Sequence, residues 1–169
     1  RLGIITNGGG AGVLAADRVG DLHVELPAPS PKTVAALDAL LPPYWSRRNP
    51  VDILGDARPE SEAAVVKACI DDPNFDGVLV MLTPQAMTQA SDAARALIDA
   101  VGGQTRKPVL ACWMGEASVA EARTLLSAAG IPDFTLPERA VEAFSYLARH
   151  HLNRRLALET PGPMSDLDA

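Results

Sequence analysis

Short, continuously apolar runs alternate along this chain with longer, alanine-rich runs of helical period. That alternation restricts the fold more than any other feature of the sequence. Leu2 to Thr6, Gly77-Val-Leu-Val-Met-Leu82 and Pro108-Val-Leu-Ala-Cys-Trp113 carry no polar face, so each reads as a strand buried on both sides. Leu22 to Leu26 is a weaker second strand and Ile131 to Thr135 a short last one. Helices are predicted over about 11–19, over TVAALDALL behind Ser30 as N-cap and Pro31 at the first helical position, over 59–71, 91–101 and 118–129, and from Pro137 onward. Gly130 is placed to end the fifth of these in a left-handed turn. Tyr44 to Gly55 shows no period and reads as a long connection. Five strands alternating with these helices make an α/β chain: a three-layer α/β/α sandwich around a parallel sheet of order 2-1-3-4-5. Ligands of such sheets bind at the carboxyl ends of the strands. Those ends carry Asn7-Gly-Gly-Gly10, Thr83-Pro84, Met114-Gly115 and the loop around Asp52.

Composition fits that architecture. The 169 residues suffice for one sizeable core, and with 47% hydrophobic but only 4% aromatic residues the core is built from Ala, Val, Leu and Ile. A net charge of −6, with scattered acids, argues against a nucleic-acid or anionic-membrane surface. No run approaches the roughly 18 apolar residues of a membrane span, and no secretion signal opens the chain. A cytoplasmic domain is the expectation. Cys69 and Cys112 lack metal-site spacing and read as buried free thiols. The chain starts on a strand without an initiator Met and ends in ETPGPMSDLDA, which has no apolar period. Residues 1–156 therefore read as the domain and 157–169 as a linker, the whole as a piece of a longer polypeptide.

The glycines after the first strand bear most directly on function. A strand running through Gly8, Gly9 and Gly10 into a helix aims unpaired backbone N–H groups and the positive end of a helix dipole at one point, and the missing Cβ atoms admit a phosphate-sized group. A tight turn alone would need fewer glycines. GxxxxGK[ST] is absent, which removes the mononucleotide loop. A dinucleotide pattern, GxGxxA, can be read across Gly10, Gly12 and Ala15 with Glu25 as the ribose acid, and it is short and unspecific.

Five blocks in fixed order are more specific: IITNGGGAGVLAAD, NPVDILGDA, VLVMLTPQAMT, KPVLACWMG and GIPDFTLPERAVEAF. Together they cover essentially the whole chain. In these blocks the chain resembles the second flavodoxin-like ligase domain of NDP-forming acyl-CoA synthetases, relatives of succinyl-CoA ligase. Its tail LALETPGP resembles the connection into an ATP-grasp domain in fused members, some of which carry a GNAT domain and act as protein lysine acetyltransferases. The resemblance implies a part in the reaction of an acid, CoA and ATP to give acyl-CoA, ADP and phosphate through a phosphohistidine on a swinging loop. Two helix N-termini face that phosphate, and Asn7, Gly8, Gly9, Gly10, Ala11 and Gly12 would form the turn of one of them. It further implies partners: CoA-binding, histidine-loop and ATP-grasp domains, and the phosphate group of the phosphohistidine itself. CoA and ATP or ADP with Mg would be bound in the parent protein, and no cofactor by this domain alone. The phosphorylated histidine, carried by the family in an SHTGS-like loop of the preceding domain, has no counterpart in His23, His150 or His151. The last two read as part of a solvated basic helix end. Catalytic residues and a metal site are accordingly not expected here.

Other residues carry two readings. Asn49 and Asp52 either shape a pocket rim or interdomain surface or close their loop by side-chain hydrogen bonds. Thr83 and Pro84 lie where they could line the same crevice. Trp113 reads as packing and Trp45 as facing a neighbouring domain; Glu116 and Glu121 read as surface carboxylates. The rival functions are a dinucleotide-binding domain and a non-catalytic regulatory module that senses acyl-CoA.

Overall fold

The structure, a computed structural model, describes residues 1–53, 59–85, 89–102 and 106–159. In chain order these form β1 (Leu2–Thr6), α1 (Gly9–Asp21), α2 (Pro31–Leu40), β2 (Val51–Asp52), α3 (Pro59–Asp71), β3 (Gly77–Leu82), α4 (Ala90–Val101), β4 (Val109–Trp113), α5 (Ala120–Ala128, entered through a 3₁₀ turn at Ala117–Val119) and α6 (Pro137–Leu158). The sheet is parallel, in the order β2-β1-β3-β4. Its register sets Ile5 beside Val80 and Val80 beside Ala111.

Alternate residues of each strand enter opposite cores, as the pleat requires. Ile5, Val78, Val80, Ala111 and Trp113 meet Leu37 of α2, Val65 and Cys69 of α3, Ala94 and Leu97 of α4 and Leu126 of α5. On the other face Leu2, Ile4, Leu79, Leu110 and Cys112 meet Ala11, Ala15 and Val19 of α1 and Ala140, Val141 and Phe144 of α6. Both cysteines are free and buried, and burial pushes both thiols up to about 12. Arg18 of α1 holds Glu142 of α6 at 2.6 Å. The helix signals read from sequence are used: the Ser30 hydroxyl accepts the Thr33 N–H at 3.3 Å behind Pro31, and Gly130 takes φ +74°.

Among the described residues the sheet has four strands, not the expected five. Leu22–Leu26 is not a strand, because the end of α1 consumes it. His23 adopts φ +54°, its N–H bonds the Gly20 carbonyl and the Val24 N–H bonds the Val19 carbonyl, each at 3.1 Å, the pattern of a Schellman helix stop. The strand beside β1 is instead β2, inside the stretch expected to be a connection. It is only two residues long because a side chain does the rest. Asn49 accepts the Ile4 N–H through Oδ1 at 3.0 Å and donates Nδ2 to the Leu2 carbonyl at 2.8 Å, the two bonds a strand residue would make there.

The other edge ends in the same way. Of Ile131–Thr135, one parallel bridge between Asp133 and Ala111 survives. Past it the Asp133 carboxylate accepts the Trp113 N–H at 2.8 Å, Arg123 donates to the Trp113 carbonyl, and Arg123 and Asp133 pair at 3.0 Å. Trp45 is a further correction: it is 3% exposed and donates its indole N–H to Asp38 at 2.9 Å, so it is core rather than a contact for another domain. The expected linker from residue 157 overlaps the last two residues of α6, and from residue 160 lies outside the described residues.

Candidate functional site

The turn between β1 and α1 is built from the strand outward. Asn7 is 4% exposed and fully committed to its neighbour strand. Its Oδ1 accepts the Thr83 N–H at 2.7 Å and its Nδ2 donates to the Thr83 carbonyl at 3.0 Å, while its own carbonyl accepts Gln85 Nε2 at 2.9 Å. Asn7 thus continues the β1–β3 ladder by one side chain. The Thr6 hydroxyl then accepts the Gly8 N–H at 3.0 Å and donates to the Gly8 carbonyl at 2.9 Å, holding Gly8 extended as the N-cap at φ −142°, ψ 110°.

The first helical bond of α1 runs from the Gly12 N–H to the Gly8 carbonyl at 3.2 Å. Among the described residues nothing accepts the N–H groups of Gly9, Gly10 and Ala11, and no side chain caps them. These are the orphan donors of a helix N-terminus.

The glycines divide by what surrounds them. A Cβ on Gly8 would stand 2.6 Å from Thr83 Oγ1, one on Gly12 3.2 Å from Thr6 Cγ2, and one on Gly9 3.3 Å from Asp52 Oδ2, whereas one on Gly10 would meet nothing within 4 Å. Gly8 and Gly12 therefore serve close packing. Gly10, exposed beside the free N–H groups, has no packing reason to be glycine.

Of the other expected site residues, Thr83 and Pro84 lie beside this turn. Thr83 is stapled to Asn7, with its Oγ1 buried and unpartnered. Pro84 is exposed, 3.2 Å from the Cβ position of Gly115. Asp52, at the carboxyl end of β2, reaches Gly9. Asn49 does not join them: its amide is spent on Leu2, Ile4 and, at 2.9 Å, the Pro27 carbonyl, which favours the loop-closing reading. Glu121 and Glu116 are exposed, and Glu121 pairs with Arg95 at 3.3 Å. His150 and His151 are exposed on α6. Glu25 accepts the Leu2 N–H through its carbonyl, at the opposite end of β1 from the glycines. That separation, about 13 Å for four residues of extended chain, takes away the dinucleotide reading, which needs the acid beside the turn.

No local pattern marks Glu62 of α3 as a site residue. It faces a cavity of about 20 Å³ lined also by Ile5, Asn7, Val80, Leu97 and Trp113, and burial pushes its carboxyl up to about 7. One of two Glu in the first turn of an amphipathic helix looks like a surface residue. Only the packing of α3 onto the sheet turns it inward.

Residues 2–154 match the family model described as Ligase-CoA domain. The chain is 39% identical over 149 residues to the ADP-forming acetate–CoA ligase I of Archaeoglobus fulgidus, covering 88% of this chain and 21% of that protein. It is 35% identical over 157 residues to the alpha subunit of the ADP-forming acetate–CoA ligase II of Pyrococcus furiosus, covering 90% of this chain and 34% of the subunit. Among solved structures, the apo dinucleotide forming acetyl-coenzyme A synthetase 1 of Ca. Korarchaeum cryptofilum superposes with a TM-score of 0.85 at 32% identity, over 95% of this chain and 36% of that one. The same enzyme in complex with phosphate and ADP matches equally well. The chain thus spans between about a fifth and a third of the length of these relatives.

Proposed function

The chain belongs to the Ligase-CoA domain family, and from that membership we propose that it is one domain of an NDP-forming acyl-CoA synthetase whose α1 N-terminus stabilises the phosphoryl group of a phosphohistidine intermediate. The observation that carries this reading is the set of free N–H groups at Gly9, Gly10 and Ala11 beside the open space over Gly10. Unpaired donors and the helix dipole favour a dianion there. Because the donors are backbone atoms fixed by the Asn7–Thr83 staple, they need no reorganisation when charge arrives. Asp52 restricts the approach. Its carboxylate stands 3.3 Å from the Cβ position of Gly9 and occupies that side, which leaves the open space over Gly10 for the phosphoryl oxygens.

The domain's own part is to bind and orient the phosphoryl oxygens. The histidine would come from another ligase domain, CoA from the CoA-binding domain, and ATP or ADP with Mg from an ATP-grasp domain reached through a linker at 157–169. A fused GNAT domain would make the parent a protein lysine acetyltransferase. That the relatives are several times longer than this chain supports a division of labour among domains.

Sulfate titration followed by amide NMR tests the reading. Shifts concentrated at Gly9, Gly10 and Ala11 are expected, with an affinity near 1 mM, about −4 kcal/mol, since one helix acts where the complete site would use two. Gly10→Val should abolish them at unchanged stability, because its side chain enters open space on an ordinary helical backbone. Undiminished sulfate binding by a folded Gly10→Val chain would leave the glycines a role in the turn alone.

A further inference from the structure

Glu62 is used by nothing described above. It has no hydrogen bond or ion pair among the described residues. Its carboxyl faces a cavity just large enough for one water, whose wall is apolar except for Asn7. Asn7 is also the staple that fixes the start of the glycine turn. One side chain therefore touches both the pocket of Glu62 and the backbone of the candidate phosphoryl site.

We propose that Glu62 is a positioning residue for the glycine turn: its uncharged carboxyl packs beneath Asn7 and supports the β1–β3 staple, and loss of its proton withdraws that support. The inference rests on the phosphoryl-site reading for its functional meaning, and on the cavity alone for its physics. Glu62 is half-buried, and a carboxylate without a counter-ion or donor is disfavoured beside Ile5, Val80, Leu97 and Trp113. On ionising it gains solvation by drawing more water into the cavity or by carrying the first turns of α3 outward, and either event removes packing from under Asn7.

Among the described residues, the elements around Glu62 offer no competing charge. β1 presents Ile5 and Asn7, β3 Val80 and Leu82, β4 Trp113, α4 Ala93 and Leu97, and burial is the sole cause of its raised value. The charged residues of α4 point away, Arg95 pairing with Asp92 and Glu121. On α2, Lys32 is exposed and Asp38 pairs with Arg47. On α3 itself, Lys67 and Asp71 form an exposed pair. Beside the glycine turn itself, the described titratable group is Asp52, at Gly9.

The test reads three signals on the labelled chain between about pH 4 and pH 8.5: the Glu62 side-chain carboxyl carbon, the Asn7 side-chain amide, and the backbone amides of Gly9 and Gly10. One shared midpoint near 7 is expected in the wild type, with Asn7 and the glycines pH-invariant around neutrality in Glu62→Gln. The proposal is overturned if Glu62 titrates in the ordinary carboxylate range. It is also overturned if Asn7 and the glycines stay still while Glu62 titrates, or if they keep moving in Glu62→Gln, which would assign the change to Asp52 or a histidine. Should Glu62→Gln not fold, coincidence of the three wild-type midpoints decides. Sulfate, which has no proton equilibrium in this range, supplies the functional arm. Its affinity should fall roughly fivefold from the acid to the alkaline side of that midpoint in the wild type and stay constant in Glu62→Gln. Absence of sulfate binding at every pH would count against the phosphoryl site and leave the ligand-free titrations to judge Glu62.

Discussion

At the residue scale, the turn is held by contacts too close to tolerate change on one side and by nothing on the other. Gly8→Ala drives a Cβ to within 2.6 Å of Thr83 Oγ1 and is expected to cost about 1–3 kcal/mol in urea unfolding, part of it recovered when Thr83→Ala is added. Thr83→Val replaces a buried hydroxyl that has no partner with a methyl group. It should leave stability unchanged or raise it by up to about 1 kcal/mol, and a large loss would mean that the hydroxyl is satisfied. Glu62 makes a prediction of unusual sign. Its folded value, about 7, lies above the ordinary 4.5, so the folded chain holds the proton more tightly than the unfolded one. Its contribution to stability is therefore fully present below about pH 4.5 and is lost as pH rises to about 7, by at most about 3 kcal/mol. Asp133, also raised by burial, adds the same sign. Asp76, held down to about 2 by Arg1, acts only at lower pH and in the opposite direction. Urea midpoints at about pH 5 and pH 8 should converge in Glu62→Gln, and an unchanged slope in that variant would remove Glu62 as the cause.

At the element scale, both sheet edges end on side chains that imitate strands. Asn49→Ala would leave the Leu2 carbonyl and the Ile4 N–H without partners, an expected loss of about 2–4 kcal/mol by denaturant titration. Asp133→Ala would strand both the Trp113 N–H and a partly buried Arg123, with a cost of about 3–5 kcal/mol. These same residues explain what could be read from the sequence. β1, β3, β4 and α3 were legible because continuous apolar runs and helical period are local properties. β2 was hidden because Val51-Asp52 is too short to have a period, and Leu22–Leu26 looked like a strand because a left-handed His23 cannot be foreseen from alternation. Asp133 and Asn49 act through contacts 20 and 45–47 residues away, which no local pattern encodes. The site divides in the same way. The glycine turn was visible as a strand–glycine–helix signal, whereas the stapling role of Asn7 and the inward Glu62 exist only once β3 and α3 have packed.

At the scale of the whole molecule, α6 exceeds what this core can cover. Its first turns bury Ala140, Val141, Phe144 and Ser145, while residues 146–159 are exposed throughout, Tyr146, Leu147, Leu152, Leu156 and Leu158 among them. A helix 22 residues long spans about 33 Å, and the four strands bear against less than half of it. An exposed helical segment as short as its second half is marginal in water without tertiary packing, so the two halves should differ in local stability though they form one continuous helix. Amide hydrogen exchange is expected to approach the global unfolding limit at 141–145 and to run orders of magnitude faster from about residue 149 onward. The three arginines of this half, Arg149, Arg154 and Arg155, repel one another. Exchange there should slow modestly with added salt, because screening relieves that repulsion. If the domain works inside a larger synthetase, the exposed half is where neighbouring structure would add protection. Comparing the same amides in the isolated chain and in the full-length parent therefore measures how much of α6 belongs to the assembly. Equal protection along all of α6 in the isolated chain would show that the helix is stable without a partner and would remove this reason for placing an interdomain contact there.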